Sequence, residues 1–272
     1  MIGRRELPEE YREWNRRWGA PGGHPAVNTL PMHRRLNDPD PARFGPFGFQ
    51  FISGTREFEY PWVYFAAGAG PGMRVLDVGA GLSGLQFVLA GEGCEVVNVD
   101  PSADADPGDW QRRAGAWLTL DKHEAVNKVF GTDVRLVPRT VQDSGLAPGS
   151  FDRVLCVSVL EHVDPPEARA MLQGMVELLV PGGLCVLTVD LFLDLKPFGI
   201  LDRNHWGINL DLRCMLEGLG LERVVGDPRE LLGFPEFDYD RVVGHVGEYL
   251  ISSYPCVSQA LVLRKSGTPG TD

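Results

Sequence analysis

From residue 74 onward, short apolar runs alternate with stretches whose apolar residues recur at helical spacing. The runs RVLDVG (74–79), CEVVNVD (94–100), VRLVP (134–138), FDRVLCVSV (151–159), LCVLTVD (184–190), ERVVG (222–226) and SQALVLRK (258–265) are rich in Val and Leu and are bounded by Gly, Pro or Asp. That pattern predicts strands. Several are apolar almost throughout, as expected of strands covered on both faces. Between them, LSGLQFVLAGEG, PPEARAMLQGMVELL (165–179) and LDLRCMLEGLG read as helices. The second opens on proline, which suits a first helical turn, and the turn Pro181-Gly182-Gly183 is expected to separate it from the strand that follows. Strands alternating with helices predict an α/β domain with a largely parallel sheet. There is no internal repeat.

The first 72 residues have a different texture, rich in Pro, Gly, Arg and aromatics. PEEYREWNRRWGAPGG predicts a short helix ended by Gly19 and the Pro21-Gly22-Gly23 breaker. Tyr11, Trp14 and Trp18 fall at i, i+3 and i+7, on one face. That face can pack on the main domain or serve as a lid over a site. A second helix is predicted over 53–68, with Pro61 at a kink or first turn. The organisation expected is an extension and substrate segment, 1–72, a main domain, 73–265, and a disordered tail, 266–272.

Charge and composition narrow the partners. The net charge of −11 repels phosphate backbones, so no nucleic-acid partner is expected. No apolar run is long enough to cross a bilayer, and the N-terminal residues are charged without an apolar signal core. No membrane association and a cytoplasmic location are the expectation. The five cysteines are scattered, with no C-x-x-C pair, and three lie in apolar runs; buried thiols are expected.

The chemistry concentrates in RVLDVGAGLSGLQF. Gly79, Gly81 and Gly84 make the pattern G-x-G-x-x-G of a dinucleotide-binding turn, which opens the reading of an NAD-dependent oxidoreductase. Asp77 argues against it. A pyrophosphate in that loop would meet a like charge, at a cost of about 4 kcal/mol for unit charges 4 Å apart at an effective dielectric of 20. A ligand carrying an ammonium and a sulfonium, such as S-adenosylmethionine, would gain instead. Asp100 ends the second strand, 19 residues after Gly81, and suits ribose hydroxyls in either ligand.

Taken together, VLDVGAGLSG, NVDPS, GSFDRVLCVSVLEHV and LLVPGGLCVLTV resemble the successive motifs of class I S-adenosylmethionine-dependent methyltransferases over about residues 73–190. The resemblance implies a Rossmann-like, seven-stranded, mostly parallel sheet with helices on both faces, here with an N-terminal helical extension. It implies S-adenosyl-L-methionine as cofactor. Gly79 and Gly81 match the glycines against the methionyl part, and Asp77 the acid near the amino group. Asp100 matches the ribose-binding acid, with Ser102 beside it in NVDPS. Thr140 and Val141 match the pair beside the adenine, although many relatives carry aspartate where Thr140 stands. Ser158 and Leu160 follow the fourth strand, where backbone groups flank the ligand. Arg56 and Tyr60 precede the first strand, where relatives supply a group to the cofactor carboxylate.

Methyl transfer needs alignment first and, for a hydroxyl acceptor, a general base. His205, in DRNHWGINLD beyond the fifth strand, is the first candidate. His162 in LEHV resembles a histidine common in the family, which favours a structural role; Tyr60 is a further candidate, and His24 and His245 are outsiders. Asp190, Asp194, Asp202 and Asn204 lack a diagnostic metal spacing, and DADPGD (104–109) lacks the spacing and closing glutamate of a calcium loop, so no metal is expected. The expected function is methyl transfer to a hydroxyl or amine of a small molecule, in the range of secondary metabolites and sugars. The alternatives are the oxidoreductase and a protein that binds S-adenosylmethionine without transferring its methyl group.

Overall fold

The computed structural model describes residues 1–23, 40–49, 53–104, 118–252 and 254–267. His24, most of DADPGD and residues 268–272 of the expected tail lie outside them. The main elements are α1 (Glu9–Trp18), α2 (Arg56–Ala67), β1 (Arg74–Val78), α3 (Gly84–Gly91), β2 (Glu95–Val99), α4 (Leu120–Phe130), β3 (Arg135–Val137), β4 (Phe151–Val157), α5 (Pro165–Leu178), β5 (Leu179–Phe192), α6 (Leu212–Leu216), β6 (Leu221–Val225), α7 (Tyr239–Gly244) and β7 (Cys256–Lys265).

Seven strands of the described residues form one sheet in the order β3-β2-β1-β4-β5-β7-β6. The pairs β1–β2, β1–β4, β2–β3 and β4–β5 are parallel, and β7 runs antiparallel to both β5 and β6. The sheet is therefore mostly parallel, as the sequence predicts. Its order reverses between β1 and β4, and in open α/β sheets the crevice at such a switch point takes the ligand.

Side-chain alternation builds a core on each face of the sheet. Val75, Val96, Leu155, Val186 and Val262 face one core, with α1, α2 and α3. Leu76, Val97, Val154, Cys156, Leu187 and Leu261 face the other, with Ala168, Leu172 and Met175 of α5. Of the five thiols, four are buried and Cys214 is exposed, and none forms a disulfide.

The extension joins the first of these cores. α1 has Glu9 and Glu10 in its first turn and Arg16 and Arg17 in its last, which complements the helix dipole, and Gly19 caps it at φ 70°. Trp14 is buried edge-on to Phe47 at 5.5 Å, while Tyr11 and Trp18 are half-buried. Ahead of α1 the chain lies along β7: the amide of Gly3 donates to the Ser258 carbonyl at 2.9 Å, and that of Ala260 to the Met1 carbonyl at 2.7 Å. The packing use of the Trp14 face is the one observed.

One local expectation is corrected, and one helix is added. Pro181-Gly182-Gly183 does not separate α5 from its strand. Leu179 already pairs with Phe151, and the register shifts between Phe151 and Arg153, so the three residues form an irregularity within β5, with Gly182 at φ 77°. α4 was not predicted. It is set by Thr119, whose Oγ1 accepts from the Lys122 amide at 3.2 Å, and by Gly131 in the left-handed region. Among the described residues, no helix is long and apolar enough to cross a membrane.

Because Trp14 is part of the core, Trp14→Ala is expected to cost about 3 kcal/mol or more, the range for truncating a buried aromatic. Deleting residues 1–24 should lower Tm sharply; urea and thermal melts measure both.

Candidate active site

β1 and β2 end side by side at the switch point, and the segment 79–83 joins β1 to α3. Each glycine of the loop has its own reason. Gly79 sits at φ 70°, and a Cβ there would press on both Val159 methyls at 2.8 Å. Gly81 sits at φ 56°, yet a Cβ would meet nothing nearer than Asp100 Oδ2 at 4.0 Å. The space above Gly81 is open, which lets a ligand approach the backbone. At Gly84 a Cβ would strike the Pro46 backbone at 2.7 Å, so this third glycine serves packing of the 46–49 turn on α3.

Asp100 organises the loop from the neighbouring strand. Its Oδ2 accepts from the Gly81 amide at 2.8 Å. Its Oδ1 accepts from the Ser102 amide at 2.9 Å and from the Ser102 hydroxyl at 2.5 Å. From beneath, Asn98 Nδ2 and Gln86 Nε2 both donate to the Gly81 carbonyl, at 2.9 and 3.1 Å. Asn98 also donates to Gln86 Oε1 at 3.1 Å, and His123 Nε2 lies 2.9 Å from the same oxygen. Burial lowers the His123 pKa to about 4, so it is neutral and donates there. This Asn98–Gln86–His123 chain was not predicted. Its one sequence signal is the polar Asn98 inside the apolar run EVVNV.

Asp77 is buried at 2% exposure, and its Oδ2 has no partner. Burial, and then the neighbouring Asp100, push its pKa up to about 8. A buried carboxylate is ordinarily paired, and an orphaned oxygen at a strand end marks a place for a donor or cation that the chain does not supply. Ser158 repeats the signature: φ 53°, 5% exposed, with an unpartnered hydroxyl.

A cavity of about 240 Å³ lies beside the glycine loop, lined in part by Gly79, Asp100, Thr140, Val141, Ser158 and His162. The six sequence-predicted positions thus come from the ends of β1, β2 and β4 and the segment after β3, and they meet around one space. Val141 is buried. The Thr140 hydroxyl donates to Asp143 Oδ2 at 2.9 Å and accepts from the Asp143 amide at 3.3 Å, so its hydrogen-bonding capacity is used within its own turn.

Of the remaining candidates, Arg56, Tyr60, His205 and His245 do not line that cavity, while His162 does. Arg56 forms an ion pair with the fully buried Glu59. Tyr60 is 3% exposed, with its ring 4.8 Å from Phe47. His162 is exposed, borders the cavity, and donates from Nδ1 to the Trp206 carbonyl at 2.5 Å, tying the 203–208 loop to the end of β4. His205 is exposed, its ring edge-on to Trp206 at 5.1 Å. His245 lies beyond α7, its Nδ1 2.8 Å from the Arg241 carbonyl. Among the described residues no group of three or more His, Cys, Asp or Glu could hold a metal.

Residues 76–187, which include the glycine loop, Asp100 and the end of β4, match the family described as a methyltransferase domain. Over this stretch the chain is a methyltransferase domain of class I fold. The ubiquinone biosynthesis O-methyltransferase of Cronobacter sakazakii is 32% identical over 181 residues, 63% of this chain and 63% of the relative. The chain thus covers less than two thirds of that relative's length. Among solved structures, magnesium protoporphyrin IX methyltransferase from Synechocystis PCC 6803, with bound S-adenosylhomocysteine, superposes with a TM-score of 0.52 at 16% identity, covering 94% of this chain and 100% of that one. The [4+2]-cyclase SpnF superposes with a TM-score of 0.54 at 14% identity, covering 77% and 81%. At these identities the likeness concerns the fold.

Asp100→Ala removes an acceptor from the cavity and releases the Gly81 amide. It is expected to weaken S-adenosylhomocysteine binding by roughly 1.5–3 kcal/mol, the range for hydrogen bonds to a charged group. Calorimetry on the folded variant measures it, and unchanged affinity would remove Asp100 from the site.

Proposed function

We propose that the protein transfers the methyl group of S-adenosyl-L-methionine to a hydroxyl of a small molecule, with an amine as the other acceptor within reach of the same geometry. The observation that supports the cofactor assignment is the cavity at the β1/β4 switch point, lined by Gly79, Asp100, Val141 and Ser158, next to the open Gly81 backbone that Asp100 holds. A nucleoside's ribose finds acceptors at Asp100, and its base finds apolar surface at Val141. An ammonium finds the Asp77 carboxylate. Hydroxyl is preferred over amine because the curated relative is an O-methyltransferase.

When bound, S-adenosylmethionine supplies an already electrophilic methyl group, so the chain's own task is alignment and proton removal. In this proposal Gly79, Gly81, Asp100, Ser102, Thr140, Val141 and Ser158 hold the cofactor, with Asp77 at its ammonium and Arg56 near its carboxylate. Arg56 keeps donors beyond those used on Glu59, since a guanidinium has five. His205 takes the acceptor proton, His162 holds the loop that carries it, and Tyr60 supports α2 from within the core. We assign residues 73–265 to the transferase domain and residues 1–72 to substrate selection, the covering surface there being α2.

The experiment is a melt with S-adenosylhomocysteine and, separately, NAD, followed by mass spectrometry of candidate acceptors for an added methyl. Stabilisation by S-adenosylhomocysteine alone is expected, since only a native-state ligand stabilises.

Cofactor binding should depend on pH with a definite sign. Asp77 titrates near 8 in the free protein, so at pH 6 it is neutral and an incoming ammonium gains little. Raising pH from 6 to 8 ionises it and should strengthen S-adenosylhomocysteine binding; Asp77→Asn should flatten that rise. Calorimetry across this range tests it, and a wild-type affinity independent of pH would place the ammonium elsewhere. His205→Ala should leave cofactor affinity within about twofold while lowering kcat by roughly 10²–10⁴, the range for a general base. Near-normal turnover at neutral pH would remove His205 from proton transfer.

A further inference from the structure

A second cavity lies away from the cofactor site. It measures about 580 Å³ and opens between the last turn of α1, Gly45, and the helices α3 and α4. That volume falls in the range of small-molecule sites. Gly91 ends α3 and Phe130 ends α4, and both line the cleft. Each of these helices carries the chain from the carboxyl end of one parallel strand back to the amino end of the next, so the two residues lie toward the amino ends of the strands. Ligand sites of open α/β sheets sit at the opposite, carboxyl ends, here beside Gly79 and Asp100. Among the described residues the two cavities share no lining side chain, so the cleft is not where a methyl group held at the glycine loop would be delivered.

Its lining joins an apolar floor to positive charge. Phe87 and Val88 of α3 and Phe130 of α4 supply the apolar surface, the two rings 6.0 Å apart. Arg16, Arg17 and Trp18 line it from α1. The Arg17 guanidinium lies 4.7 Å from the Trp18 ring centroid and has no acidic partner among the described residues. Arg16 Nη2 is 2.8 Å from Glu9 Oε1, and Glu9 is not in the lining. The described lining thus holds two cations and no acid, on a chain whose net charge is −11. Arginines in a last turn complement the helix dipole, but that role calls for no apolar cleft beside them. A second signal comes from Trp18, whose Nε1 is buried without a partner. The indole N–H only donates, and a buried donor without an acceptor is a cost that a ligand can remove. The wall at Gly91 is open, since a Cβ there would meet no atom within 4 Å.

We infer that this cleft is a second ligand site, and that it takes a small aromatic carboxylate. Phe87, Val88 and Phe130 receive the planar body of such a molecule, and its carboxylate accepts from the Arg17 guanidinium and the Trp18 N–H. Each part needs the other. An exposed arginine holds an anion weakly in water, whereas an apolar floor beside it supplies burial and strengthens the charge contact. An uncharged aromatic would leave the arginine without a partner, and an anion without a ring would leave the floor uncovered. The site goes beyond the methyl-transfer reading and does not rest on it.

The probe is naphthoate, with naphthylmethanol as its uncharged counterpart, each titrated into the full chain while the tryptophan indole N–H signals are followed by nuclear magnetic resonance. Trp18→Phe identifies the signal of Trp18 by its loss. Millimolar naphthoate should move that signal, and naphthylmethanol at the same concentration should not. Arg17 is exposed, so Arg17→Gln keeps the fold; it should weaken naphthoate by about fivefold or more, as expected when a hydrogen bond to a charged group is lost. Gly91→Leu, which sets a side chain against the open wall, should abolish binding without lowering Tm. Saturating S-adenosylhomocysteine should leave naphthoate affinity within about twofold, as for two sites without coupling. A Trp18 signal that naphthoate does not move, an equal response to naphthylmethanol, or wild-type affinity in both Arg17→Gln and Gly91→Leu overturns the inference. Displacement of naphthoate by S-adenosylhomocysteine overturns it too, since the probe would then occupy the cofactor cavity.

Discussion

The acceptance by Asp100 of the Gly81 amide is the contact on which the site depends. It spans two adjacent parallel strands at the point where the sheet reverses its order, and it converts a flexible glycine turn into a shaped surface. Strand pairing sets its length. Asp77 is in register with Asn98, so the turn after β1 and the acid after β2 emerge at the same height. Asn98, Gln86 and the neutral His123 then brace the same turn through its carbonyl. A loop held at both its amide and its carbonyl has little freedom left to lose when a ligand arrives, which is how a fixed site improves affinity.

The same edge explains why this fold tolerates so many unsatisfied polar atoms. Strand ends in a doubly covered sheet are buried by helices, yet they carry the side chains that must meet a ligand. Asp77, Ser158, Thr188, Asp190 and Glu161 are all nearly or fully buried, and each has an oxygen without a partner. Elsewhere on the sheet the matching is partial: Gln259 Oε1 accepts from the Leu232 amide at 2.7 Å, while its Nε2 has no partner. Strain stored along one edge is the usual cost of a functional site. The N-terminal extension helps carry it, since Met1–Gly3 lie along β7 and Trp14 fills the core beside α2.

The sheet was legible because Val- and Leu-rich runs, each ended by Gly, Pro or Asp, leave few other folds open. The proposed cofactor residues are close for a related reason: Gly79, Gly81, Asp77 and Asp100 lie within 24 residues of one βαβ unit, where spacing along the chain is nearly spacing in space. What could not be read depends on distant partners. His123 looked like any helix residue until it met Gln86, 37 positions away. Glu59 and Ser258 are 199 residues apart. Thr140 matched the adenine-side position in sequence, but its hydroxyl is engaged by Asp143, a turn interaction that spacing alone does not reveal. Pro181-Gly182-Gly183 failed as a turn signal because the β4 register holds Leu179 in the sheet ahead of it.

The glycine pattern itself carries the general lesson. G-x-G-x-x-G is shared by sites for opposite charges, since its physical content is only a tight turn and a close backbone approach. The charge of the ligand is written elsewhere, in the groups that the chain leaves without a partner. A pyrophosphate site would supply donors at the turn and keep carboxylates away from it. Here the residue two places ahead of Gly79 is an acid, buried, unpartnered on one oxygen and held largely neutral by burial and by Asp100. A cation that enters would draw this carboxyl into its charged form, a gain that a phosphate cannot obtain. In the proposed reading, the orphaned carboxyl, more than the glycines, separates a methyl donor's site from a dinucleotide's.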